Sequence, residues 1–282
     1  MSSPVWFITG ASNGFGLILS LKALKAGHRV VSSVRNKTKS ADAVKQIEDA
    51  GGQVIELDMT ESKASIDKKI KAVGQIDYLI NNAGFFVLGA VEQATEQEAQ
   101  AQLQTNFFGP LYVLQAALPG MRARRSGTIV NLSSIACKDP QPTSGLYAAS
   151  KGALEAMSES LAGEVSPFNI SVLIVEPGAF RTNFLSAYQA PSAALPSGYE
   201  GTTVDKMRAH YSGSSGKQIG DPGKGVDRIY EAVTGEGLAG KLKGKVLRLV
   251  IGRDSWERMR RNNDRFLADL AVQEDVALST DF

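Results

Sequence analysis

Seven short β-rich runs, at residues 5–9, 29–34, 53–57, 77–81, 128–134, 170–175 and 247–251, recur along the chain, and helical patterns fill most of the gaps between them. Strands that alternate with helices pair in parallel, with the helices crossing over the faces of the sheet. The helical patterns run from a glycine-rich turn to residue 26, over 40–50, 61–73 and 95–118, and through the segment carrying Tyr147 and Lys151. Gly109-Pro110 should kink the long one. The expected fold class is α/β, a doubly wound seven-stranded parallel sheet flanked by helices.

A chain of 282 residues, 43% hydrophobic and 21% charged, can bury the core of one such domain without a second. We place that domain over 1–252 and a C-terminal helical extension over 253–282. There is no apolar run of about 18 residues for a membrane span, and the N-terminus lacks a basic segment followed by a cleavable apolar one, so a cytoplasmic location is expected. One cysteine, Cys137, excludes an intrachain disulfide and is too little for a cysteine-based metal site, so no metal is expected. A formal charge of +2 carries no polyanion-binding signature, which argues against nucleic acid as a partner.

The first strand breaks into Thr9-Gly-Ala-Ser-Asn-Gly-Phe-Gly16 before a helix. Gly10, Gly14 and Gly16 let the backbone turn tightly and approach a ligand, and the helix N-terminus offers free N–H groups to a pyrophosphate. The spacing is GxxxGxG rather than GxGxxG. An acidic residue near the end of the second strand would bind a ribose diol; Val34 and Arg35 stand there instead, which favours a 2′-phosphate and hence NADP(H). Asp58, after the third strand, either accepts from an adenine amino group or caps the next helix. The small residues of Asn81-Asn82-Ala83-Gly84 would let a nucleotide pass over the sheet edge.

Tyr147 and Lys151 are four apart, so they share one helical face. A phenol of ordinary pKa about 10 is a poor proton carrier at neutral pH, and a neighbouring ammonium should draw it down, making Tyr147 a general acid or base. The strand at 128–134 should end at Ser134, whose hydroxyl would donate to a substrate oxygen at the carboxyl edge of the sheet. Asn106, in the long helix, is either a structural bridge or part of a proton path. Cys137 lines the pocket or is a small buried thiol.

Residues 183–222 lack a period and read as an irregular, partly helical lid over a substrate. With Phe85, Phe86 and Leu146, its Phe184, Leu185, Tyr188, Tyr199 and Tyr211 suggest a wall for an apolar or aromatic ketone. Asp254-x-x-Glu257 reads as a capping box opening a helix with Trp256, Met259, Phe266 and Leu270 on one face.

With TGxxxGxG at 9–16, NNAG at 81–84, Asn106, Ser134, YxxxK at 147–151 and Pro177-Gly178, in this order and with thirteen positions from Ser134 to Tyr147, the chain resembles the short-chain dehydrogenase/reductase family over about residues 4–252. The resemblance implies a Rossmann-like sheet and a catalytic set of Asn106, Ser134, Tyr147 and Lys151. It implies NADP(H) contacts at Gly10, Ser12, Asn13, Gly14, Phe15, Gly16, Arg35, Asp58 and Met59. Further cofactor contacts are implied at Asn82, Ala83, Gly84, Tyr147, Lys151, Pro177, Gly178, Phe180 and Thr182. It also implies a small carbonyl or alcohol substrate and a homodimer or homotetramer built through the two long central helices. The activity expected is reduction of a ketone or aldehyde to an alcohol, or the reverse. Two other readings stay open: an epimerase or dehydratase of the same fold, and a catalytically silent NADP(H)-binding regulator.

Overall fold

The computed structural model describes residues 3–214 and 216–282. Its seven strands are β1 (Val5–Ile8), β2 (Arg29–Val34), β3 (Gln53–Glu56), β4 (Tyr78–Asn81), β5 (Gly127–Leu132), β6 (Ile170–Pro177) and β7 (Arg248–Ile251). They form one parallel sheet in the order β3-β2-β1-β4-β5-β6-β7, the doubly wound arrangement expected from the alternation. Successive residues serve opposite faces: Trp6 and Ile8 enter one core, Phe7 the other, and Val130 and Ile129 divide likewise. The Trp6 core is covered by α1 (Gly14–Lys25) and α8 (Pro222–Thr234), the Phe7 core by α3 (Lys63–Val73), α5 (Gly109–Arg124) and α6 (Gly145–Val165). The strand order reverses between β1 and β4, so the crevice outside their carboxyl ends is where a ligand fits such a sheet.

The remaining helices are α2 (Ala41–Asp49), α4 (Glu96–Leu103), α7 (Thr203–Gly213), α9 (Arg253–Ala271) and α10 (Glu274–Leu278). The sequence pattern places no helix at α8, although its signals are ordinary ones: Asp221 caps it by accepting from the Gly223 and Lys224 N–H groups, Pro222 follows, and Gly235 ends it in the left-handed conformation. The single helix expected over 95–118 is instead α4 and α5 joined by a π-helical turn, Gln104–Phe108, in which the Gly109 N–H bonds to Gln104 O. Pro110 cannot donate to the carbonyl four residues back, that of Asn106, and the extra residue in the turn accommodates this.

The capping box at Asp254 is not formed. Gly252 precedes α9, and Asp254 Oδ2 instead accepts from Ala179 N at 2.7 Å, tying the helix to the segment after β6. The buried Ser255 hydroxyl adds a bond to Glu176 O at 2.9 Å. Beyond this anchor Trp256, Phe266 and Leu270 stay exposed, so their stripe is not buried within this chain. No helix among the described residues is long and apolar enough to cross a membrane.

Candidate active site

Gly10 and Gly14 turn the chain from β1 into α1 at φ +69° and +55°. A Cβ on Gly10 would lie 2.7 Å from Ala83 Cα, and one on Gly16 would lie 2.5 Å from Gly10 O and 2.6 Å from Asn82 Nδ2. Glycine is therefore required by close approach as well as by φ. The loop 81–84 clamps the turn: Asn82 Nδ2 donates to Thr9 O and Gly10 O at 2.9 and 3.0 Å, and Thr9 Oγ1 accepts from the Asn82 and Ala83 N–H groups. No side chain caps the first turn of α1, so its N–H groups stay free over the crevice. This bare glycine cradle suits the pyrophosphate of a dinucleotide.

One cleft of about 640 Å³ runs along the carboxyl ends of the strands. Of the residues singled out in the sequence, Gly10, Ser12, Asn13, Gly14, Phe15, Arg35, Asp58, Met59, Asn82, Ala83, Gly84, Ser134, Tyr147, Lys151, Pro177, Gly178, Phe180 and Thr182 all line it. Gly16 and Asn106 stand behind the wall. At one end Arg35 is exposed and makes no hydrogen bond or ion pair with the described residues; Asn36, Lys39 and Ser40 join it there. Sequence reasoning missed these three, although Lys39 lies in the same short cationic loop as Arg35. Asp58 is not a helix cap, a role that Ser62 fills for α3. One Asp58 oxygen accepts from Thr60 N and Thr60 Oγ1 in a tight turn.

At the other end stand Ser134, Tyr147 and Lys151. Ser134 lies just past β5, and its Oγ accepts from Ala136 N at 3.1 Å, capping a 3-10 turn at Ile135–Cys137. The hydroxyl hydrogen is left for another acceptor. Lys151 Nζ donates to Leu132 O at 2.6 Å. Asn106 is a bridge: its Oδ1 accepts from Phe85 N at 3.1 Å, while its Nδ2 donates to Phe85 O and to Ser150 Oγ, both at 3.0 Å. Asn106 and Lys151 press on the same point, since a Cβ on Gly84 would lie 3.2 Å from Asn106 Oδ1 and 3.4 Å from Lys151 Nζ.

The lowered phenol pKa expected from the spacing is not found. Burial lifts Tyr147 above its ordinary value, only partly opposed by the Ser134 side chain. Burial also lowers Lys151, to about 8. Cys137 does not line the cleft, and desolvation and the carboxylate of Glu155 push its thiol up to about 12. Its Sγ lies 2.7 Å from Glu155 Oε1, and Cys137, Glu155 and Glu176 cluster closely. Lys138 at 2.9 Å from Glu155 and Arg248 at 3.4 Å from Glu176 supply the compensating cations.

Part of the segment 183–222 packs over Tyr147. Phe86 lies 4.8 Å from the Tyr147 ring, with Phe184, Leu185, Tyr188 and Tyr211 packed around the pair. Phe85, Phe86, Phe184, Leu185 and Tyr211 line the cleft; Tyr188, Leu146 and Tyr199 do not. The segment, expected to be irregular and partly helical, contains α7, whose bounds the weak period does not give. Its backbone is held by Leu88 N to Gln189 O and Gln189 N to Phe86 O, at 2.9 and 2.8 Å. Arg258, brought in by α9, completes this end, and nothing in the local sequence marked it.

The short chain dehydrogenase family model matches residues 4–192. Oxidoreductase claN of Passalora fulva is 43% identical over 208 residues, 73% of this chain and 94% of that protein. A short-chain dehydrogenase from Streptomyces avermitilis has a structure that superposes with a TM-score of 0.87 at 37% identity, covering all of both chains. A metagenomic short-chain oxidoreductase solved in complex with NADP is 32% identical, with a TM-score of 0.59 over 63% of this chain and 83% of its own. The chain belongs to the short-chain dehydrogenase family and is an oxidoreductase of the nicotinamide-dependent type.

Proposed function

We propose that the protein reduces a largely apolar or aromatic ketone or aldehyde to its alcohol, or oxidises the alcohol, with NADP(H). The observation that carries this reading is the convergence of Ser134, Tyr147 and Lys151 on one aromatic-walled end of a cleft whose other end is a glycine cradle followed by Arg35 and Lys39. NADPH, when bound, supplies the hydride that goes to the carbonyl carbon. Ser134 holds the carbonyl oxygen with its free hydroxyl hydrogen, and Tyr147 gives that oxygen its phenolic proton, so one hydride and one proton make the alcohol. Lys151 would hold cofactor ribose, and its ammonium stabilises the phenolate that the transfer leaves until a proton returns from solvent, while Asn106 fixes α6 against the loop after β4. Arg35 and Lys39 favour a 2′-phosphate over a bare diol, and the metagenomic relative solved with NADP supports that choice.

The test is a panel of aryl and alkyl ketones assayed with NADPH and with NADH, following loss of the reduced cofactor and gain of alcohol. One NADPH consumed per alcohol is expected. Product formed without net cofactor consumption would mean an epimerase or dehydratase, and cofactor binding without turnover of any carbonyl would mean a regulator.

A further inference from the structure

Helix α9 follows β7 directly and reaches the cleft. Its first turn is pinned to the end of β6 through Asp254 and Ser255, and this brings Arg258 into the wall of the substrate end of the cleft. Arg258 Nε donates to Asp139 Oδ2 at 2.7 Å, and Nη2 donates to the Asp139 carbonyl oxygen. Its Nη1 has no hydrogen-bond partner among the described residues. The same Asp139 oxygen also receives Arg261, at 3.4 Å. Two guanidinium groups thus share one carboxylate, and one positive charge is left over at the rim. Arg258 is three-quarters buried and Asp139 more so, while Arg261 is exposed, so the Arg258–Asp139 pair is little screened and the surplus charge on Arg261 is screened by solvent.

The charged side chains lining the cleft are Arg35, Lys39, Asp58, Lys151 and Arg258. The first three sit at the end near β2 and β3; Lys151 and Arg258 are at the substrate end, where no carboxylate lines the wall. Between them the surface is aromatic and aliphatic, from Phe86, Phe184, Leu185 and Tyr211, with Gln141 and Ser144 as neutral polar members. Burial raises the Tyr211 phenol above its ordinary value, and the nearby Arg258 guanidinium partly opposes that rise. A fixed, half-satisfied guanidinium facing an apolar passage is a receptor for one anionic group at the end of an otherwise apolar ligand.

We infer that the preferred substrate carries a carboxylate at the end remote from its reacting carbonyl, and that Arg258, oriented by Asp139, binds that carboxylate. The inference deepens the proposed carbonyl reduction and rests on it for the position of the reacting group.

The probes are a homologous series of benzoylalkanoates and their methyl esters, bound to the full-length wild-type protein and to Arg258→Gln and followed by calorimetry. Wild type should bind at least one acid about tenfold or more tighter than its ester, the scale of one charged hydrogen bond, and high salt should erode that preference. Arg258→Gln should bring the acid-to-ester ratio to within about twofold. Arg258→Lys, which keeps the charge and loses the fork, should retain part of it. Equal binding of acid and ester by wild type, no binding of either, or an undiminished ratio in a folded Arg258→Gln overturns the inference. If Arg258→Gln does not fold, the wild-type ratio and its salt dependence still decide. Turnover is scored separately: acids that bind through Arg258 without being reduced would sink the carbonyl reading and leave the anion site standing.

Discussion

Lys151 gives its ammonium to the Leu132 carbonyl at 2.6 Å, while its Nζ stands 5.9 Å from the centroid of the Tyr147 ring four residues back. The two are neighbours on one face of α6, and the cation does not bond directly to the phenol. Both are buried, and burial disfavours the charged form of each, so Lys151 falls to about 8 and Tyr147 rises. Near neutral pH the site therefore holds a cationic lysine and a neutral phenol. That is the protonation state a proton donor to a carbonyl needs, and it explains how the two side chains can share an apolar pocket.

Tyr147→Phe removes that proton and leaves the ring against Phe86, so the lid cluster should persist. We expect kcat to fall by about a hundredfold or more with cofactor affinity nearly unchanged, the usual range for a lost general acid. Steady-state turnover and fluorescence titration with NADPH check both halves; near-wild-type turnover would take Tyr147 out of the mechanism.

Arg35 has no partner within the described protein to satisfy, so its removal should disturb nothing but the ligand. Arg35→Ala should weaken NADPH by about 1.5 to 3 kcal/mol and leave NADH nearly unaffected. Lys39 shares that end of the cleft, and the double variant should lose more NADPH affinity than Arg35→Ala alone. Equal losses for the two cofactors would mean that Arg35 merely shapes the loop.

What could be read from the chain beforehand was whatever imposes a local constraint. Gly10 needs a positive φ and cannot carry a Cβ beside Ala83, and Tyr147 and Lys151 share a face because a helix repeats every 3.6 residues, so spacing alone announces them. What stayed hidden depends on pairings distant in sequence or on hydrogen-bond register. The bond from Arg258 to Asp139 spans 119 positions. The π turn that places Asn106 differs from an α-helix only in which carbonyl accepts, and the apolar period is almost blind to that. The phenol pKa is not legible in the spacing, which reveals the cation but not the burial that raises Tyr147.

Glu176 and Glu155 lie together beneath β6 and α6, facing Lys138, Arg248, Cys137 and Ser133. Desolvation and the negative Glu155 raise Glu176 to about 8, while hydrogen bonds from Cys137, Lys138 and Ser133 outweigh burial and keep Glu155 low. Between the ordinary carboxylate range and about pH 8 the native state holds a proton that the unfolded chain has released. Stability from this group is thus complete at low pH and is lost as pH rises toward 8. His28, lowered by burial, acts in the opposite sense, so the comparison must be with Glu176→Gln rather than across pH alone. From pH 5 to pH 8 the melting temperature of wild type should fall by about 4 °C or more relative to Glu176→Gln. Parallel curves would mean that Glu176 is ionised throughout.

Substrate choice among ketones should be set by the lid at 183–222. Its Phe184, Leu185 and Tyr211 form the wall opposite Ser134 and Tyr147, and Phe86 stacks between Tyr147 and the lid at 4.8 Å from one ring and 6.3 Å from Phe184. The glycine cradle and the Arg35 loop lie elsewhere along the cleft, although Thr182 borders the cradle, 3.4 Å from where a Cβ on Gly14 would stand, and must be kept. A lid taken from a relative, grafted after Thr182 and before α8, should reorder kcat/KM among aryl ketones by about tenfold, the effect of one or two misplaced apolar groups. NADPH affinity should stay within a few-fold, because the glycine cradle and Arg35, where we propose that it binds, are outside the graft. Since Phe86 and Arg258 are untouched, any acid preference should survive the exchange even as the apolar ranking changes. An unchanged ranking in a folded graft would move selectivity out of the lid and onto Phe85, Phe86 and α9.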